Sequence, residues 1–256
     1  ELKTPFFTVH GYILTLLEGK VKDTKLIKKY LQKASNATDR LGYIIKDVDL
    51  ITEFETGVTN LKIEKFDICK LIRDLVDSFE IKMKEKGIEI TYEFSSNKSI
   101  FVNADNLRIT QVMSNLIVNS LNYGVENGST EIVTKNLSKE KVLVRVIDNG
   151  KGISDEDLPR IFERFYRVDK TRNRQEGGSG LGLAIVKHII EAHNEIVYVE
   201  SSLNVGSEFS FTLSKSNWNI ILCMGSKNKL KRFEENNTFK NVIQPNIKEI
   251  IKENHF

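Results

Sequence analysis

Three clusters of residues in this 256-residue sequence have types and spacings suited to chemistry. The first is a row. Arg108, Gln111, Asn115, Asn119 and Asn122 step by three or four residues and so share one face of a helix. A solvated helix face ordinarily uses Lys and Glu, which favour the helix more than Asn does. Amide carbonyl oxygens are ligands for hard cations. The row therefore reads as a cation-binding face or as a polar surface. The second cluster is DNGKGI, Asp148 to Ile153, directly after the apolar alternation of Val144, Val146 and Ile147. An Asp at a strand end can accept a hydrogen bond from an amine, and Gly150 and Gly152 allow backbone to approach a ligand closely. A plain tight turn is the other reading. The third is GGSGLGLAIV, Gly177 to Val186, a glycine-rich stretch entering a helix. Free N–H groups at such a helix start favour phosphate, and a linker is the alternative. The spacing is neither the dinucleotide fingerprint nor the P-loop.

Between the second and third clusters lie Phe162, Phe165 and Tyr166, followed by Arg167, Lys170, Arg172 and Arg174. The aromatics could dock a loop, and the basic side chains could reach phosphate or simply face water. His188 and His193 have apolar neighbours and read as structural. No metal-ligand spacing or nucleophile triad is present.

Elements must hold these residues in place. Leu2, Phe6, Val9, Ile13 and Leu16 form one helical face that stops near Gly19. A second helix begins about Thr24, with Ile27, Leu31, Ala34, Thr38, Leu41, Ile45 and Val48 in one apolar series and Tyr30, Ala37, Ile44 and Ile51 in another. That stripe is wider than two helices need. Two such hairpins would bury it as a dimeric four-helix bundle, and packing of one hairpin on a neighbouring domain is the alternative. After Gly57 the pattern predicts a helix over 67–86, strands over 88–94 and 100–102, a helix over 103–123, strands over 131–137 and 142–147, a helix over 181–192, and strands over 196–200 and 208–213. The fold class is α+β: an antiparallel helical hairpin followed by a two-layer α/β sandwich. The long polar stretch 148–180 is a candidate functional loop.

Hydrophobic residues at 40% and charged residues at 29% suit a globular domain. Residues 1–214 are near neutral and leave no nucleic-acid footprint. The positive balance belongs to 215–256. Cys69 and Cys223 suggest no disulfide framework. No apolar run reaches the roughly 18 residues of a membrane span.

In this order the clusters resemble those of bacterial sensor histidine kinases. QVMSNLIVNSLNYG is similar to the family's N box, IFERFYRVDK to its F box, and ELKTP at the start to its dimerisation-helix motif. The resemblance covers Glu1 to Leu213. It implies a dimerisation and phosphotransfer hairpin over 1–57, a catalytic ATP-binding domain over 58–214, and a tail over 215–256 outside the family pattern. It implies transfer of a phosphoryl group from ATP to a His, then to the receiver domain of a response regulator. Asn119 would ligate Mg2+ with Asn115 in support, and Asp148 would accept the adenine amine. Gly150 and Gly152 would shape the adenine pocket, with Tyr123 against the base. Arg167 and Arg172 would reach phosphates from a lid, while Gly178, Gly180, Leu181 and Gly182 let the lid close and offer N–H groups. Glu1 would be the base beside the acceptor His, which is expected directly before Glu1, and Thr4 would position water for dephosphorylation. The resemblance further implies a homodimer through the hairpin, and a cytoplasmic portion of a parent anchored in the inner membrane through an N-terminal part.

Three positions depart from the family pattern: Asn122 where Lys is usual, Ser120 where Ala is usual, and His193-Asn194-Glu195 where a Gly-rich turn is usual. The first puts one phosphate contact in question. An inactive scaffold, or an ATPase of the gyrase or chaperone type, are the competing expectations. From Met224 the tail resembles the start of bacterial tRNA guanine methyltransferases. It carries no cofactor motif, and no such activity is expected. A joined neighbouring reading frame or a basic tail would account for it.

Overall fold

The computed structural model describes residues 2–19, 21–57, 60–95, 99–168 and 178–216. Two helices come first, α1 (Lys3–Leu17) and α2 (Thr24–Glu55), packed on each other as an antiparallel hairpin. The first ends where Glu18 N–H returns to the Leu14 carbonyl and Gly19 turns left-handed. Asp23 starts the second, its carboxylate accepting the Lys25 N–H at 2.8 Å.

The elements that follow are β1 (Ile63–Asp67), α3 (Ile68–Ser78), α4 (Glu80–Lys86), β2 (Glu89–Phe94), β3 (Phe101–Asp105), α5 (Asn106–Tyr123), β4 (Ser129–Asn136), β5 (Lys141–Asp148), α6 (Gly182–Ala192), β6 (Val197–Ser202) and β7 (Gly206–Ser214). Five strands form one sheet in the order β2-β4-β5-β7-β6. Its neighbours are antiparallel except β2 and β4. A parallel pair needs a long crossover, and β3 with α5 supplies it. Ile72, Ile109, Leu116, Ile185 and Ile189 on the helices share one core with Val142, Val144 and Val146 of β5 and Phe209, Phe211 and Leu213 of β7. This is the expected two-layer α/β sandwich. Each such side chain, taken fully out of water, stabilises by roughly 1.5–3 kcal/mol.

The apolar stripe of α2 divides. Ile44, Leu50 and Ile51 enter the sandwich core, while Leu31 and Ile45 stay exposed, as do Phe6, Phe7 and Leu17 of α1. Part of the width read in the sequence therefore serves the neighbouring sandwich.

Three local expectations are corrected. The strand β1 was not expected. Its first three residues are exposed and show no apolar alternation, and only its pairing with β3, Ile63 opposite Asp105 through Asp67 opposite Phe101, makes it a strand. The helix expected over 67–86 is two helices. Buried Phe79 leaves helical geometry at φ −95°, ψ 0° and separates α3 from α4. The helix expected from 103 begins at Asn106, because Asp105 caps it by accepting the Arg108 N–H at 3.1 Å.

Two departures from the family pattern have structural reasons. Asn194 takes the left-handed conformation, φ 55°, that glycine would otherwise provide. The buried Glu195 carboxylate accepts from Lys141 Nζ at 2.5 Å and from the Thr212 and Ser214 hydroxyls at 2.7 Å each. It locks β5 to β7 beyond the ladder. The Ser120 hydroxyl donates to the Ile117 carbonyl at 2.9 Å, so its burial leaves no unpaired donor.

Candidate nucleotide site

Asp148 is the last residue of β5, and its side chain is 9% exposed. Its Oδ1 accepts the Gly150 N–H at 2.9 Å. Burial raises its carboxyl above the ordinary carboxylate value, against the Gly150 and Ser207 N–H groups, which lower it. The turn after Asp148 folds under the end of α5. The Lys151 N–H donates to the Tyr123 carbonyl at 3.2 Å. A side chain at Gly150 would stand 2.6 Å from that same oxygen. Gly152 has φ +65°, and a Cβ there would meet the Ser202 carbonyl at 1.9 Å. The structure thus brings Tyr123, Asp148, Gly150 and Gly152 together, and the two glycines are required by backbone approaching backbone.

The row on α5 lies partly exposed beside the start of α6. Asn115 Nδ2 donates to the Gly182 carbonyl at 3.3 Å, which ties the row to the end of the glycine-rich stretch. The Asn119 side chain makes no hydrogen bond among the described residues and is half-buried. Leu181 is fully buried and anchors the start of α6, its carbonyl accepting the Ile185 N–H at 2.9 Å. Gly180 has φ +76°, and a Cβ there would stand 2.8 Å from the Phe165 carbonyl carbon. Gly178 has open space around it, and a Cβ at Gly182 would touch Asn115 only at an ordinary 3.6 Å.

The aromatic-basic stretch is pinned at its near end. The Tyr166 hydroxyl donates to Asp157 Oδ1 at 2.5 Å, and the Arg160 guanidinium lies 4.3 Å from the Tyr166 ring centre. Arg164 pairs with Glu55 at the end of α2, and His188 Nε2 lies 3.8 Å from the same carboxylate. Burial pushes the His188 imidazole below its ordinary value, so the paired cation is Arg164. Arg167 Nε is buried without a hydrogen-bond partner among the described residues. Thr4 sits in the first turn of α1, its carbonyl accepting the Thr8 hydroxyl at 2.9 Å, and belongs to the hairpin. Glu1 and Arg172 lie outside the described residues, as do Lys170, Arg174 and the tail from 217.

Sequence reasoning missed two supports of Asp148. Ser207 stands opposite it in the β5–β7 register. A Cβ at Gly206 would lie 2.0 Å from the Asp148 carbonyl oxygen. A glycine opening a strand is the available signal for such close approach. His193 proves structural as expected: its Nε2 accepts the Asp105 N–H at 3.0 Å, joining α6 to the start of α5.

These donors and acceptors fit a nucleotide. A buried carboxylate can accept from an exocyclic amine, an amide side chain without a hydrogen bond suits a hard cation, and the orphaned Arg167 Nε suits a phosphate oxygen. Residues 104–217 match the family model described as histidine kinase-, DNA gyrase B- and HSP90-like ATPase. The chain is 33% identical over 214 residues to the sensor histidine kinase WalK of Bacillus subtilis. That match takes in 83% of this chain and 35% of the relative, so the chain spans about a third of that protein's length. The catalytic domain of histidine kinase ThkA is 31% identical, with TM-score 0.53 over 60% of this chain and 97% of that one. ThkA solved in complex with the response regulator TrrA superimposes with TM-score 0.66 at 27% identity, over 84% of this chain and 59% of that one. Full-length ShkA in complex with AMPPNP does so with TM-score 0.66 at 26% identity, over 80% and 42%.

Proposed function

The chain belongs to the bacterial sensor histidine kinases, and from that premise we propose that residues 58–214 bind Mg2+-ATP and residues 1–57 form the dimerisation hairpin. The observation that carries the nucleotide reading is Asp148, a buried carboxyl with Oδ1 held by the Gly150 N–H. The turn that follows it packs against the Tyr123 carbonyl, and its Gly150 and Gly152 admit no side chain. Structures of relatives with AMPPNP and with a response regulator support this direction.

When bound, ATP supplies the phosphoryl group, and the chain's part is positioning and neutralising charge. Asp148 orients the base through its amine. Asn119, with Asn115 braced on Gly182, holds Mg2+ by an amide oxygen. Arg167 and Arg172 draw the phosphates, and the N–H groups from Gly178 to Gly182 help hold them. Glu1 would take the proton of an acceptor imidazole, and Thr4 would place water for dephosphorylation of the partner. The acceptor passes its phosphoryl group to a response regulator receiver domain. The exposed Phe6, Phe7, Leu17 and Leu31 support a homodimer formed through the hairpin. Among the described residues no helix is long and apolar enough to cross a membrane. The family reading takes this chain as the cytoplasmic portion of a membrane-anchored parent.

Titration calorimetry of the chain with Mg2+-ATP tests the pocket. Binding is expected, with loss in Asp148→Ala. Equal affinity in that variant would remove Asp148 from the site.

A further inference from the structure

We infer that the phosphate end of this nucleotide site takes positive charge from helix α4, through Lys82 and Lys86. The inference rests on the nucleotide reading above. The asparagine row on α5 is neutral where it ends. Asn122, about 4.5 Å along the helix from Asn119, brings an amide and no charge. A cavity of about 310 Å³ opens beside it. Val118, Leu121 and Asn122 bound it from α5, and Lys82, Glu85 and Lys86 bound it from α4. Asn122 therefore belongs both to the row and to a space that two lysine side chains border.

Those lysines are spaced four apart on α4 and share a face. Lys84, between them, is committed elsewhere, to Glu80 at 2.5 Å. Neither Lys82 nor Lys86 forms an ion pair among the described residues. Lys82 extends over the Phe79 ring at 5.4 Å. Glu85 offsets one of the two charges, which leaves the cavity one positive charge in excess. Val118 and Leu121 make part of its wall apolar. A flexible four-carbon stem lets a lysine follow a polyphosphate that has no rigid docking geometry. Two lysines on a neighbouring helix thereby supply the charge that Asn122 does not bring.

The test is calorimetry of adenosine, Mg2+-ATP and inorganic phosphate binding to the parent chain, to Lys82→Gln/Lys86→Gln, and to that pair combined with Asn122→Lys. Both lysines are exposed, so the fold should persist, and circular dichroism checks it. Adenosine affinity should stay unchanged in the double variant. ATP affinity should fall about tenfold, the size expected of two partly solvated charge contacts, with a shallower salt dependence. Asn122→Lys should restore most of the loss. Unchanged ATP affinity in the double variant, with adenosine binding still lost in Asp148→Ala, would overturn the lysine assignment and leave the nucleotide site standing. Phosphate binding that needs the lysines while ATP affinity does not would make the cavity a separate anion site and overturn it equally. A parent chain that binds neither adenosine nor ATP would remove both readings.

Discussion

The Phe165 N–H donates to the Gly180 carbonyl at 2.9 Å, which closes the two ends of the segment 166–179 on each other. Both residues take left-handed backbone, φ 61° at Phe165 and φ 76° at Gly180. Phe165 pays a local strain that an L side chain rarely accepts. The neck sits between the Tyr166–Asp157 anchor and the buried Leu181 at the start of α6.

Gly180→Ala should break this neck. The added Cβ would stand 2.8 Å from Phe165 backbone in a conformation that alanine resists. A loss of about 1–3 kcal/mol in denaturant unfolding is expected, together with weaker ATP binding. Gly178→Ala, with open space around it, should change stability by less than about 0.5 kcal/mol. Equal effects at the two positions would contradict the geometry.

Asp148 should make adenosine binding pH-dependent. Its carboxyl is raised by burial, so the folded protein takes up this proton at a higher pH than the unfolded chain does. The stability this group contributes is present below the unfolded value and is lost as pH rises through the folded value. Asp148→Asn should therefore raise the melting temperature slightly near neutral pH while losing adenosine. In the parent, affinity should fall as acid protonates the acceptor, and the fall should begin above the ordinary carboxylate range.

Asn119→Ala should separate metal from base. Adenosine affinity is expected to persist, while the gain in ATP affinity on adding Mg2+ should vanish. The Asn119 side chain carries no hydrogen bond among the described residues, so stability should change little. A variant that keeps the full Mg2+ gain would free Asn119 of the metal role.

The hairpin should be the dimer seam. Phe6→Glu combined with Leu31→Glu places charge on the exposed apolar face and should shift sedimentation from dimer to monomer, with ATP binding intact. A dimer that survives both changes would place the seam elsewhere.

Arg145 and Glu208 form a paired fork, Nε to Oε1 at 2.6 Å and Nη2 to Oε2 at 2.5 Å, with side chains 12% and 9% exposed. Arg145→Ala leaves a carboxylate buried without its partner and should cost about 3–5 kcal/mol. Arg145→Ala with Glu208→Gln together should recover part of that loss. Chemical denaturation of the three variants measures it.

Much of this molecule is readable in one dimension. The hairpin helices, the row on α5, the turn after β5 and the start of α6 each announce themselves within some ten residues, because helix and strand periods and glycine conformations are local. The strand β1 does not, since its exposed residues are extended only by pairing with β3. The break at Phe79 does not either, because a buried ring settled it against a continuous helical pattern.

The sequence by itself determined which chemical groups are available: an Asp at a strand end, amides one turn apart, and glycines where side chains would obstruct. Only the tertiary structure decided which of them meet. The β5–β7 register puts Ser207 behind Asp148, and the packing of α5 on α6 puts Asn115 on Gly182. The crossing of α4 and α5 opens Lys82 and Lys86 onto the space beside Asn122. Residues far apart in the chain come together by burying a shared apolar core, and that burial depends on the whole chain at once rather than on any local window of it.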